Sequence, residues 1–227
     1  MIVWKEVSDG VWHPAYTSPP GLHTASVNAC AWAPHELGLL LASGSSDGSL
    51  SFVSCGVTGD GAWSTTKVER AHLLGCTSVS WAPPQPPGSL VAAGSGAHLV
   101  RRLVTGGCDN AVKVWGYVDG KGWGEEHVLK GHTDWVRDVA WAPNLGMARN
   151  TIASAGQDGK VLVWTQAEPH GQWSSTLLGD FHTCVWRVSW SAFGNVLAVA
   201  DGSNKVTLWK EGPDGAWAQL ADAPEPN

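Results

Sequence analysis

Four histidines, His23, His72, His132 and His182, head similar stretches of this 227-residue chain, and Asp47, Asp109 and Asp158 follow three of them at matching offsets. Imidazoles and carboxylates can hold a metal or move a proton, provided that they converge on one point. Here one of each recurs in three successive stretches of roughly 50 residues, so each pair belongs to its own repeated unit. The spacing predicts structural hydrogen bonding rather than a metal centre or a general acid–base pair. Gly44-Ser45-Ser46-Asp47-Gly48 matches G-x-S-x-G by letter. A nucleophile elbow, however, needs a strand-to-helix turn and a partnered histidine. The same positions hold Gly107-Cys108-Asp109 and Gly156-Gln157-Asp158 further along, which makes all three hairpin turns. Five scattered cysteines without C-x-x-C predict reduced thiols inside strands of an intracellular protein. No phosphate-cradling G-x-x-x-x-G-K-[ST] is present. The expectation is a protein that is no enzyme, with no catalytic, cofactor or metal residue and no small-molecule substrate.

The elements that would carry these residues are marked by fifteen tryptophans. Trp32, Trp81, Trp141 and Trp190 close one apolar run per unit, and Trp4, Trp115, Trp164 and Trp209 close another. Trp12, Trp63, Trp123, Trp173 and Trp217 follow glycine-containing turns. In the unit that begins at His132, Val136, Val139 and Trp141 alternate as a half-buried strand, and Ala142-Pro143 ends it. Ile152-Ala153-Ser154-Ala155-Gly156 is a strand of small residues suited to a crowded interior. Gln157-Asp158-Gly159 turns the chain into Lys160–Trp164, and a fourth strand opens at Trp173. Four antiparallel strands in such a period make one propeller blade.

The predicted fold is all-β: an open, incomplete β-propeller of four full four-stranded blades plus a half blade at the N-terminus. The boundaries are a half blade at 1–16 and blades within 17–220, at about 23–66, 72–128, 132–178 and 182–220. A disordered tail follows at 221–227. Pro84 to Arg102 reads as a surface loop inserted between two strands, and Leu37 to Ala42 as a buried strand.

A net charge of −6 with no basic run argues against nucleic acid binding. No apolar stretch approaches the roughly 18 residues of a membrane span. Met1-Ile2-Val3-Trp4 has no charged leader, so secretion is not expected.

The Gly-His and Asp-Gly…Trp elements resemble the WD-repeat family. That resemblance implies a hydrogen-bonded set of His, Ser or Thr, Asp and Trp in each blade. The set is complete twice: His72, Thr105, Asp109, Trp115; and His132, Ser154, Asp158, Trp164. It fails in the first blade, where Val53 replaces the tryptophan, and in the last, where Val199 and Ser203 stand in. Those two blades are expected to rely more on packing. Arg137 and Asp138 read as solvated or ion-paired positions, and Trp135 and Trp186, outside the three columns, as locally packed residues with partner contact as the alternative.

His132–Trp141, Gly106–Asn110 and Asn204–Glu211, with Ser45–Gly48 and Pro87–Leu90, are more specific. They are similar to the Sec-thirteen type subunits of the COPII outer coat and the nuclear-pore Y-complex. The resemblance implies a non-catalytic scaffold in endoplasmic reticulum to Golgi transport and nuclear-pore assembly. Its partners would be a larger coat subunit or pore subunits that complete the propeller with a blade. Its location would be cytoplasmic, peripheral on the endoplasmic reticulum and its vesicles, and at the nuclear envelope. Because family members carry about six blades, the chain is expected to lack a blade and a half and to bind that partner weakly. The alternative is a general adaptor such as a ubiquitin-ligase substrate receptor. That reading is disfavoured because Trp-Asp-x-Arg is missing after Trp115, Trp164 and Trp209.

Overall fold

Alternating short apolar residues and Gly- or Asn-centred turns produce strands throughout. The computed structural model describes residues 1–56, 62–85, 99–144, 148–168 and 171–222. A hairpin of β1 (Ile2–Ser8) and β2 (Val11–Thr17) precedes four antiparallel sheets. The first blade is β3 (Val27–Trp32), β4 (Leu40–Ser45), β5 (Leu50–Cys55) and β6 (Trp63–Val68). The second is β7 (Cys76–Trp81), β8 (Arg102–Gly107), β9 (Ala111–Val118) and β10 (Gly122–Lys130). The third is β11 (Val136–Trp141), β12 (Asn150–Gly156), β13 (Lys160–Gln166) and β14 (Ser174–Asp180). The fourth is β15 (Val185–Trp190), β16 (Val196–Asp201), β17 (Val206–Glu211) and β18 (Trp217–Asp222). Each sheet keeps its strands in chain order, and no helix in the described residues is long and apolar enough to cross a membrane.

The apolar core lies between blades rather than within them. One cluster joins Val104, Val112 and Val114 of the second blade to Val136, Val139 and Ile152 of the third. Another joins Ala153, Ala155 and Val161 of the third to Val188, Leu197 and Val199 of the fourth. A blade therefore gains its stability from its neighbours, as in other stacked repeats.

Two tryptophan columns meet inside each of the last three blades. Trp81 lies 5.6 Å from Trp123, Trp141 5.7 Å from Trp173 and Trp190 5.9 Å from Trp217. These edge-on pairs close the lower end of each blade, where the first strand ends and the fourth begins. The indoles of Trp81 and Trp190 also donate to the preceding blade, at Ala31 O (2.8 Å) and Ala140 O (3.0 Å).

Several expectations change. Leu37–Ala42 is not one buried strand: Leu37 ends a 3-10 turn, and β4 starts only at Leu40. Gly38 between them has a φ of 78°, a bend that strand backbone does not make. Leu39 is left exposed. Arg102 belongs not to the inserted loop but to β8, where it is buried because Glu126 accepts from its Nε at 2.7 Å. Residues 86–98 of that loop lie outside the described residues. The tail was expected to leave the fold at 221, yet Ala221 and Asp222 pair with Leu208 and Thr207; residues 223–227 lie outside the described residues. Of the cysteines, all free, only Cys76 is fully buried, and desolvation pushes its thiol up to about 12. Cys108 and Cys184 sit in loops, and Cys30 is exposed.

Candidate interaction surface

The histidine and aspartate columns sit inside single blades, at the turn between second and third strands. In the third blade, His132 Nδ1 lies 3.1 Å from Asp158 Oδ1, and Nε2 lies 2.8 Å from Ser154 Oγ. Trp164 Nε1 donates to the same Ser154 oxygen at 2.8 Å. A carboxylate only accepts, so in the neutral ring Nδ1 carries the proton and Nε2 accepts from the serine. The second blade repeats this with His72, Asp109 (2.8 Å), Thr105 (2.7 Å) and Trp115. Burial alone would raise the Asp109 and Asp158 carboxyls. Hydrogen bonds from the imidazole and from the Leu73 or Thr133 amide outweigh it and hold both at about 2. The stability they contribute is thus present above the ordinary carboxylate range and is lost as pH falls toward 2.

Two glycines that the sequence reading passed over belong to these sets. A Cβ on Gly107 would overlap His72 Nδ1, and one on Gly156 would overlap His132 Nδ1 and Asp158 Oδ1. Their counterparts by register are Ser45 and Asp201, in the two blades where the set is altered. The signal was therefore present: glycine accompanies only the complete sets.

The first blade does not fall back on packing alone. Ser51, opposite Ser43 on the neighbouring strand, takes the place of the missing indole. His23 Nε2 is 3.0 Å from both hydroxyls, which lie 2.6 Å apart, and Nδ1 is 3.0 Å from Ser49, which donates to Asp47. In the fourth blade His182 is exposed, Trp209 donates to Thr207 instead, and Asp201 rather than residue 203 caps the turn. The serine motif places Ser46 against the Asn28 side chain, with no imidazole bonded to it among the described residues.

The innermost strands carry a second column. Each skips one residue in its register, between Val27 and Ala29, Cys76 and Ser78, Val136 and Asp138, and Val185 and Arg187. A bulge of this kind turns the skipped side chain away from the sheet. Asn28 donates to Cys76 O (2.8 Å) and Thr77 to Val136 O (2.6 Å), each bridging to the next blade. At the third bulge Arg137 lies 5.1 Å from the Trp135 ring centre and 4.9 Å from that of Trp186, and its Nε donates to Gln157 (2.7 Å). Where a solvated or ion-paired position was expected, the guanidinium is stacked between the two half-exposed indoles.

Its neighbour Asp138 takes the ion-paired alternative rather than the solvated one. It is buried and accepts from the Val188 amide of the next blade at 3.1 Å, with Arg187 at 3.7 Å. Burial raises its carboxyl despite those partners. The unfolded chain then releases this proton at lower pH than the folded one, so the site costs stability as pH rises above the ordinary carboxylate range. Asp138→Asn keeps an acceptor and removes that cost. It is expected to stabilise by up to about 1 kcal/mol at pH 7. The gain should shrink at pH 4; thermal melts at both pH values check this, and an equal or larger gain at pH 4 would contradict it.

One flank of the array is open. Val161 and Val206 occupy the same register position in consecutive blades. Val161 is 0% exposed beneath the fourth blade, whereas Val206 is 39% exposed.

Sheets of four antiparallel strands, stacked blade on blade and pinned by His–Asp–Ser/Thr–Trp sets, define a WD-repeat β-propeller protein. The chain matches the family described as "WD domain, G-beta repeat" over residues 21–54 and 123–165. It is 46% identical to the "Protein SEC13 homolog" of Drosophila melanogaster, over 97% of this chain and 61% of that protein. It is 45% identical to "Protein transport protein sec13" of Emericella nidulans, over 99% of this chain and 74% of that protein. Identity to the human "Protein SEC13 homolog" is 48%, over 79% of this chain and 56% of that one. The chain belongs to the SEC13 family, and spans less than two thirds of the length of the fly and human relatives.

Proposed function

We propose that this chain is a non-catalytic scaffold of protein transport, a structural subunit of the COPII outer coat that acts at the endoplasmic reticulum. The observation that carries the reading is the open flank of the fourth blade. Val206, beside Ala198 and Ala200, presents the surface that in the third blade is a blade-to-blade core. A partner that contributes strands to a sheet gains main-chain hydrogen bonds and apolar burial together. The partner is a larger coat subunit that supplies a blade, and a nuclear-pore subunit that packs in the same way is a second client. The Trp135–Arg137–Trp186 stack is a further contact point, because rigid aromatic anchors cost little ordering on binding.

The test is co-purification of the chain with the large outer-coat subunit. The unaltered chain is expected to retain it only weakly, and Val206→Lys to lose what remains while its melting temperature is unchanged. Equal recovery with both chains would refute docking on this flank.

A further inference from the structure

Three seams separate the four blades, and the structure fills two of them with a polar strut at the same height. Between the third and fourth blades Arg149 pairs with Glu211, beside Trp190 and Trp217. Between the second and third, the Arg102 guanidinium lies 5.2 Å from the Trp141 ring centre and donates to Gln166 at 3.3 Å. Gln166 and Glu211 each stand two residues beyond the tryptophan of a third strand, Trp164 or Trp209. In the second blade that place is Tyr117, two beyond Trp115, and across the seam the first blade offers Gly38 and Leu39 instead of an arginine.

No strut forms there, and a cavity of about 280 Å³ remains, against about 90 Å³ beside the Arg149–Glu211 pair. Its wall is aromatic: Phe52 and Trp123 stack at 4.1 Å with planes 7° apart, and Tyr117 lies edge-on to Trp123 at 5.4 Å. Leu39 stands at the rim, 58% exposed. Arg101 lies 5.0 Å over Tyr117 and forms no ion pair among the described residues. The cavity thus holds an apolar slot of side-chain size and, on its second-blade side, an exposed guanidinium with no carboxylate beside it among the described residues.

We propose that this cavity is a docking site for a short segment of a partner protein carrying an aromatic side chain flanked by a carboxylate. The aromatic ring enters the slot against Phe52 and Trp123, and the carboxylate pairs with the exposed Arg101 guanidinium beside Tyr117. A charge-assisted hydrogen bond on an aromatic wall adds orientation to apolar burial. The site is independent of the coat reading, since it lies at an internal seam rather than on the open flank.

Fluorescence anisotropy with the whole chain tests it, using fluorescein-labelled Gly-Ser-Asp-Phe-Asp-Ser-Gly as the probe. Replacing both aspartates of the peptide by asparagine, or its phenylalanine by serine, is expected to weaken binding about tenfold or more. Arg101→Gln should impose the same loss on the acidic peptide and leave the asparagine peptide unchanged. Ser64→Trp, at an exposed position lining the cavity, should block the slot; Leu39→Asp, on the exposed rim, should repel the acidic peptide even if the first variant is unstable. The proposal is overturned if acidic and asparagine peptides bind alike, or if Arg101→Gln and Leu39→Asp bind the probe as the unaltered chain does. Absence of saturable binding up to about 1 mM probe would overturn it equally.

Discussion

His132→Ala is expected to destabilise the chain by about 2–4 kcal/mol, and His182→Ala by no more than about 0.5 kcal/mol, although both residues occupy the same repeat position. The His132 ring is enclosed and bonded at both nitrogens, to Asp158 and to Ser154. Its removal strips a donor from a buried carboxylate and an acceptor from a buried hydroxyl that also receives the Trp164 indole. Polar groups left without partners in a low-dielectric interior cost more than the bonds contributed. His182 is exposed, with a φ of 56°, and its Nδ1 lies 3.4 Å from Asp180. Urea unfolding of the two variants at pH 7 separates them. Equal losses would mean that the set contributes nothing beyond ordinary packing.

Gly156→Ala should cost a comparable 2–4 kcal/mol, about as much as losing the histidine itself. The added methyl group has nowhere to go, since its position overlaps both the Asp158 carboxylate and the His132 ring. To admit it, the imidazole–carboxylate pair must separate or β12 must leave its register with β11. Gly124 is the control, because a Cβ there meets nothing within 4 Å. Gly124→Ala, in an exposed strand, is expected to be neutral or slightly stabilising, by about 0.5 kcal/mol. The same urea unfolding decides it, and a Gly156→Ala chain that unfolds at the same urea concentration as the unaltered one would show that the pair is loosely held.

The blades were legible because strand and turn chemistry is local. Asp-Gly turns, the proline after Trp141 and the alternation of Val136 with Val139 each act over a few residues of chain. The complete sets of the second and third blades were legible for the same reason, with each partner at a fixed offset in the repeat. The first blade was misjudged because Ser51 fills the gap left at Val53 from a different register position. Its hydroxyl reaches Ser43 only across the β4–β5 pairing. Arg102 was assigned to a loop because an arginine beside a Gly-rich insert looks solvated, and nothing nearby in sequence announces Glu126 and Gln166 as its partners.

By itself, the sequence determined the all-β repeat, the number of sheets, the family resemblance and the identity of the two complete hydrogen-bonded sets. These follow from backbone preferences and from periodicity, which are written along the chain. The tertiary structure alone decided what happens between blades: the Arg137 stack between Trp135 and Trp186, the Asp138 bond to Val188, the uncovered Val206 and the seam left open beside Arg101. The Arg137–Trp186 and Asp138–Val188 contacts join residues about 50 positions apart, and all of these features depend on how one sheet is rotated against the next. That rotation is set by the packing of the two faces together, and neither blade's sequence specifies it alone.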